Sequence, residues 1–223
     1  MRHYNIPVFI PELACPNRCI YCNQRHISGQ AEVVSTDKVV QIIESHLQTF
    51  VRPSHVELAF FGGSFTGLEI EQQEKYLEVV QPYIKQGLIE GIRLSTRPDY
   101  ISVAVLDTLK RYNVKTIELG AQSLCDEILT LCERGHSVRD VEKASSLIKE
   151  YGFSLGLQMM VGLPSDTLER SKQTAQKIVS LGADNTRIYP TLVIPNTKLA
   201  EMYYRGDYRP LTIEQAVEWS AEV

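Results

Sequence analysis

Apolar residues along the chain follow two alternating rhythms. Short β-rich runs occur at IPVFI (6–10), VELAFF (56–61), GIRLS (91–95), VKTIELG (114–120), FSLGLQMMV (153–161) and NTRIY (185–189). Between them, apolar positions recur at helical spacing over 36–50, 70–84, 100–112, 138–152 and 167–182. A shorter helix is expected from Leu124 to Cys132. The last two of the five longer segments end in Gly152 and Gly182, a common helix stop, and Asp166 with Glu169 has the spacing of a capping pair opening the later one.

Six strands alternating with helices, many of them apolar on both faces, predict an α/β fold with a parallel sheet covered by helices. Periodicity does not say whether such a sheet closes into a barrel. In either case ligands sit at the carboxyl ends of the strands, so the stretches that follow strands carry the functional interest. No low-complexity linker divides the 223 residues, which read as a single domain, 1–223. The closing TIEQAVEWSAEV reads as an amphipathic helix with no stop signal, as in a chain truncated at its C-terminus.

Composition adds little to this picture. With 43% apolar and 22% charged residues the chain is ordinary globular material. Its 23 basic and 27 acidic residues give a net charge of −4, which supplies no electrostatic argument for nucleic-acid binding and leaves a local basic patch open. The opening MRHYNIPVFIPELACP is too short and too broken by proline for a signal peptide, and no apolar run is long enough to span a membrane. The expected setting is cytoplasmic, away from membranes, where clustered thiols more often bind metal than pair as disulfides.

The candidate chemistry starts in LACPNRCIYC, which places Cys15, Cys19 and Cys22 just after the first strand. Three thiolates leave one iron of a four-iron cluster open to an outside ligand. Adding His26 gives C-x3-C-x2-C-x3-H, a Cys3His zinc pattern, and from spacing alone the two readings stand even. Cys125 and Cys132, seven apart at helical spacing, read as small buried hydrophobes.

CPNRCIYC after the first strand resembles the cluster motif of the radical S-adenosyl-L-methionine (SAM) superfamily. The resemblance implies a partial (β/α)6 TIM-like barrel, a 4Fe-4S cluster on Cys15, Cys19 and Cys22, and SAM chelating the open iron. It also implies hydrogen abstraction by a 5′-deoxyadenosyl radical, fed by a one-electron donor such as flavodoxin or ferredoxin. By the same resemblance Gly62, Gly63 and Ser64 of AFFGGSFTG line the methionine amino group, Gln122 and Arg134 contact SAM, Gln158 faces the ribose, and Phe9 and Tyr21 flank the adenine. Ser95 and Thr96 stand where related enzymes often carry a glutamate. The plainer readings are a tight turn for the glycines, a structural salt bridge for Arg134 and core packing for Phe9 and Tyr21. His136 reads as a capping or core histidine.

Within the superfamily, IELGAQSLCDEILTLCERGHSVRDV, RIYPTLVIPNTKLAEMYYRGDYRPLTIEQA and STRPDYI resemble the Elongator-like group, which implies transfer RNA as a partner. Two features depart from that group. The compact cysteine spacing looks more like that of oxygen-independent coproporphyrinogen oxidase and its relatives, and nothing in these residues corresponds to an acetyltransferase domain.

Overall fold

Alternation of side chains across a strand decides what each β-run buries. The computed structural model describes residues 2–10, 15, 19–23 and 34–223. The six expected runs form β1 (Arg2–Ile10), β2 (Ser54–Gly62), β3 (Gly91–Thr96), β4 (Val114–Gln122), β5 (Ser154–Val161) and β6 (Asn185–Pro190). All pair in parallel in the order β1-β2-β3-β4-β5-β6, and the sheet curls into a half-barrel. Ile6 and Val8 of β1, Leu58 and Phe60 of β2, Leu94 of β3, Leu119 of β4 and Leu157 of β5 are fully buried on the outer face, under the helices. The inner face carries Phe9, Phe61, Arg93, Ser95, Glu118, Gln158 and Arg187 at matching register. One face is therefore core and the other is a polar lumen.

The helices are α1 (Thr36–Leu47), α2 (Ile70–Glu78), α3 (Gln81–Lys85), α4 (Val103–Arg111), α5 (Asp126–Leu131), α6 (Val138–Glu150), α7 (Leu168–Ser180), α8 (Lys198–Arg205) and α9 (Ile213–Glu222). Among the described residues none is long and apolar enough to cross a membrane. Two expectations need correction. The helix expected over 70–84 is broken in two, because Pro82 has no amide to donate and its ring would crowd the Glu78 carbonyl, where α2 stops. The Asp166–Glu169 capping pair is not formed. Thr167 caps α7 by accepting from the Arg170 amide, while Asp166 accepts from the Gly162 and Thr167 amides and the Ser171 hydroxyl. The glycine stops do hold, with Gly152 at φ +80° and Gly182 at φ +74°.

A second, smaller core sits at the carboxyl ends of the strands. It packs Cys19, Ile20 and Tyr21 against Ile128, Cys132, Leu163, Leu199 and Tyr208. Two backbone bonds tie the cysteine loop into it: Ile20 N–H to the Cys132 carbonyl at 3.2 Å and Leu199 N–H to the Ile20 carbonyl at 2.8 Å. The loop is thus held by α5 and α8, from far along the chain.

Candidate functional site

Each strand end contributes to one region. After β2 the chain turns on Gly62, whose φ of +101° suits glycine; a Cβ there would lie 2.6 Å from the Ile10 carbonyl oxygen. The Gly63 amide donates to that same carbonyl at 2.8 Å, so the GGS turn is fastened to the end of β1, where the cysteine loop begins. Behind it the Ser64 hydroxyl meets Thr96 at 2.8 Å and accepts from the Arg97 amide at 3.2 Å, and Thr66 joins the same hydroxyl group. The sequence placed Ser95 and Thr96 together at the end of β3, but alternation separates them. Thr96 joins the hydroxyl cluster, whereas Ser95 faces the lumen and accepts from the Gln158 amide at 3.3 Å.

Cys19 is buried, and Cys15 and Cys22 are half-buried beside it in the chain. Among the described residues no three thiol, imidazole or carboxylate groups are gathered as a set that could hold a metal ion. His26, the fourth ligand of the zinc pattern, lies outside the described residues. Arg134 reaches into this region. Its Nη1 donates to the Cys19 sulfur at 3.4 Å and its Nη2 to the Gly120 carbonyl at 2.7 Å. Burial opposes its charge, yet Tyr21 and Cys19 beside it keep its pKa above the usual range for arginine. No carboxylate pairs with it among the described residues, so it is not the salt-bridged arginine of the plainer reading. Gln122 lies in a bulge of β4 at φ +66°, and its side-chain nitrogen shares the space over Gly120 with Arg134. The two residues are therefore neighbours, twelve positions apart in sequence.

The other predicted positions separate. Gln158 donates to Glu118 at 2.8 Å as well as to Ser95, so its amide belongs to a charged ladder across the lumen. Glu118 also accepts from Arg93 at 3.1 Å and Arg187 at 3.0 Å, and Arg93 reaches on to Glu57 at 3.1 Å. Arg187 lies over the Phe61 ring, 4.8 Å from its centre. Phe9 sits on the inner face near Phe61, while Tyr21 is packed in the small core. Cys132 belongs to that core, its thiol pushed up to about 12 by burial with Cys19 and Asp166 adding, and Cys125 packs at its margin. Both behave as the expected hydrophobes.

Two residues to which the sequence assigned no chemistry stand out. Arg97, 2% exposed, pairs bidentately with Asp99, both bonds at 2.9 Å, yet its Nη1 has no partner. His136, 7% exposed, has no hydrogen bond of good geometry at either ring nitrogen, although the Ala121 backbone lies close enough to bear on it. Burial, with Arg134 and Arg97 facing the ring, lowers its pKa to about 4, and Asp99 opposes this. Arg97 had one legible signal, its place directly after a strand. His136 had only its position two residues beyond Arg134.

This shift has a consequence for stability. The folded pKa lies below the ordinary value of 6.5, so above that pH both folded and unfolded states are neutral and the ring adds nothing. Between about pH 6.5 and 4 the unfolded chain takes up a proton that the folded ring refuses, costing about 3 kcal/mol over the window. Denaturant melts across that range should lose stability on acidification, and His136→Phe should remove this part of the slope. Equal slopes in the two proteins would contradict the assignment.

The profile of the radical SAM superfamily matches residues 10–178, and that of the radical SAM C-terminal domain matches residues 183–223. The chain is 34% identical over 183 residues to the tRNA uridine(34) acetyltransferase of Methanocaldococcus infernus, a match covering 73% of this chain and 34% of that protein. It is 29% identical over 188 residues to Elongator complex protein 3 of Saccharomyces cerevisiae, covering 75% and 34%. The solved structure of the M. infernus Elp3 lacking its N-terminus matches 99% of this chain and 53% of its own, with a TM-score of 0.78 at 26% identity. Coproporphyrinogen III oxidase of Escherichia coli, a radical SAM enzyme, shares the fold at a TM-score of 0.67 and 19% identity, over 99% and 50%. The chain spans about a third of the length of these curated relatives.

Proposed function

We propose, for a chain that belongs to the radical SAM superfamily, that Cys15, Cys19 and Cys22 hold one 4Fe-4S cluster and that SAM binds above the ends of β2 to β5. The observation that carries this reading is Arg134, a buried arginine with no carboxylate partner among the described residues, which donates to the sulfur of one proposed ligand and to the backbone of β4. The residues suit the group: three thiols on one loop, a glycine turn with no room for a Cβ, and a fixed positive charge at the sulfur. Such a cluster, when bound, supplies the electron that cleaves SAM and yields a 5′-deoxyadenosyl radical for hydrogen abstraction.

The protein's own part is positioning and exclusion of water. The small core of Tyr21, Ile128, Cys132, Leu163, Leu199 and Tyr208 closes the cysteine loop on one side. The GGS turn admits the methionine end, Gln122 with Arg134 bounds it at β4, and Gln158 bounds the lumen at β5. Phe9, half open to the lumen, flanks the adenine in this reading. Ser95, whose hydroxyl accepts from Gln158, is a neutral group and supplies no charge to replace the glutamate of related enzymes.

The test is anaerobic reconstitution with iron and sulfide, reduction in the presence of SAM, and detection of 5′-deoxyadenosine. Product formation supports the reading. Stoichiometric zinc with no uptake of iron would replace it by the Cys3His alternative. We propose a cytoplasmic setting, a flavodoxin or ferredoxin as electron donor, and transfer RNA as the substrate class, the last on the likeness to the tRNA uridine(34) acetyltransferase of M. infernus. Exposed Tyr203 and Tyr204 on α8 offer stacking faces suited to RNA, beside an Arg205 that is paired with Asp207 at 2.9 Å. Binding of transfer RNA should weaken steeply with salt, and salt-insensitive binding would remove the substrate proposal.

A further inference from the structure

The bond from the Cys22 amide to the Cys19 carbonyl, 3.0 Å, closes a turn with Ile20 and Tyr21 at its corners. Two of the three clustered thiols therefore stand at the ends of one turn, with the tyrosine between them in the chain. Its ring belongs to the small core, together with Cys19 and Cys132. Its hydroxyl is buried and has no hydrogen-bond partner among the described residues. The two other buried tyrosines show what this fold does with a phenol. Tyr76 donates to the Val34 carbonyl, and Tyr208, in the same small core, donates to the Gly162 carbonyl at 2.7 Å. A hydroxyl buried without a partner is costly, so one orphan beside a satisfied neighbour indicates an acceptor from outside the chain.

The surroundings say what that acceptor is. Arg134, Cys19, Cys132 and Cys22 all lie near enough to the hydroxyl to bear on it electrostatically. Three of these four groups are sulfurs and the fourth is a cation, yet the hydroxyl bonds to none of the sulfurs. An acceptor that fits among them is anionic and is itself a further sulfur. Arg134 already donates to the Cys19 sulfur at 3.4 Å, so donors in this region are aimed at sulfur. A phenol is protonated at neutral pH and offers one O–H without adding a charge of its own.

We infer that the Tyr21 hydroxyl donates a hydrogen bond to a sulfide of the 4Fe-4S cluster and thereby raises the cluster's reduction potential. The assignment rests on the cluster reading above and adds to it the group that sets how readily the cluster takes up an electron. Reduction adds one negative charge, spread over the cluster's sulfurs. An O–H aimed at one of them stabilises the reduced form more than the oxidised form, and hydrogen bonds to the sulfurs help to set such potentials. The apolar side chains of the small core keep the local dielectric low, which strengthens the effect.

The experiment is an EPR-monitored redox titration of the anaerobically reconstituted full chain, without SAM and then with it. Without SAM, Y21F should shift the balance at a fixed potential about three- to tenfold toward the oxidised cluster. For a one-electron couple that is a fall of roughly 30–59 mV. Y208F is the control: it removes a hydroxyl from the same core that already has its acceptor, and the potential should not move. Incorporation of 3-fluorotyrosine carries the test if Y21F fails to take up iron. A more acidic phenol donates more strongly, so the wild-type potential should rise, and no rise would overturn the assignment. An unchanged potential in Y21F, or an equal fall in Y208F, would overturn it as well. A fall seen only with SAM present would make SAM the acceptor and would also overturn it. A wild type that takes up no iron would overturn the underlying reading and this assignment with it.

Discussion

Cys19→Ala is expected to abolish 5′-deoxyadenosine formation while leaving a folded protein. The argument turns on where the sulfur lies. Of the three clustered thiols Cys19 is the buried one, and Arg134 donates to its sulfur. Its backbone neighbours are fastened independently of its side chain, through the Ile20 bonds to Cys132 and Leu199, so the loop has reason to keep its path when the sulfur is gone. The fold should lose about 1–3 kcal/mol, because Arg134 Nη1 is left buried without an acceptor. The chemistry should lose everything, because a cluster held by two thiolates is neither stable nor correctly presented. Cys132→Ala supplies the control, since it sits in the same small core with a thiol that burial keeps protonated. Both variants are to be assayed for iron content and product after identical reconstitution. Loss in both would assign the effect to the small core, and product from Cys19→Ala with a full complement of iron would remove Cys19 from the ligand set.

The alternation of strands and helices was legible because it is local: each run carries its own period, and the glycines at 152 and 182 mark their own stops. What failed was local chemistry with two outcomes. Asp166 has the spacing of a cap, but the Gly162 amide and Ser171 hydroxyl compete for the same carboxylate and win. The inner ladder was illegible for a different reason. Whether Glu118 faces the lumen depends on a register shift between Ile92 and Arg93 against β4, and no period within one strand reports that. The candidate site divides the same way. The cysteines and the GGS turn announce themselves, whereas Arg97 looks like a surface arginine until its burial against Asp99 is known. Gln122 and Arg134 become a pair only through Gly120, which has no side chain to hold them apart.

That ladder carries the second large effect. Glu118 is 1% exposed and accepts from Arg93, Arg187 and Gln158, groups from three other strands. Replacing it by alanine removes the anion shared by Arg93 Nη1, Arg187 and the Gln158 amide, while Arg93 Nε keeps Glu57. Arg187, about one-third exposed, can turn to water, but Arg93 at 14% cannot, so the cost falls on Arg93 and on the Gln158 amide. Removal of one partner from a buried ion pair costs about 3–5 kcal/mol, much of it the penalty of the charge left behind. Urea melts of Glu118→Ala should therefore show a loss of that order. Glu57→Ala should cost far less, because the other partner of Glu57, His3, is half exposed and Arg93 keeps Glu118. Adding Arg93→Met to Glu118→Ala should recover part of the loss, since one of the two guanidinium groups left facing the empty position goes with it and Glu57 keeps His3. The loss should also change little between low and moderate salt, as a buried pair is poorly screened. A cost below about 1 kcal/mol, or one that salt erases, would mean that water reaches the ladder and that the lumen is wet to its floor.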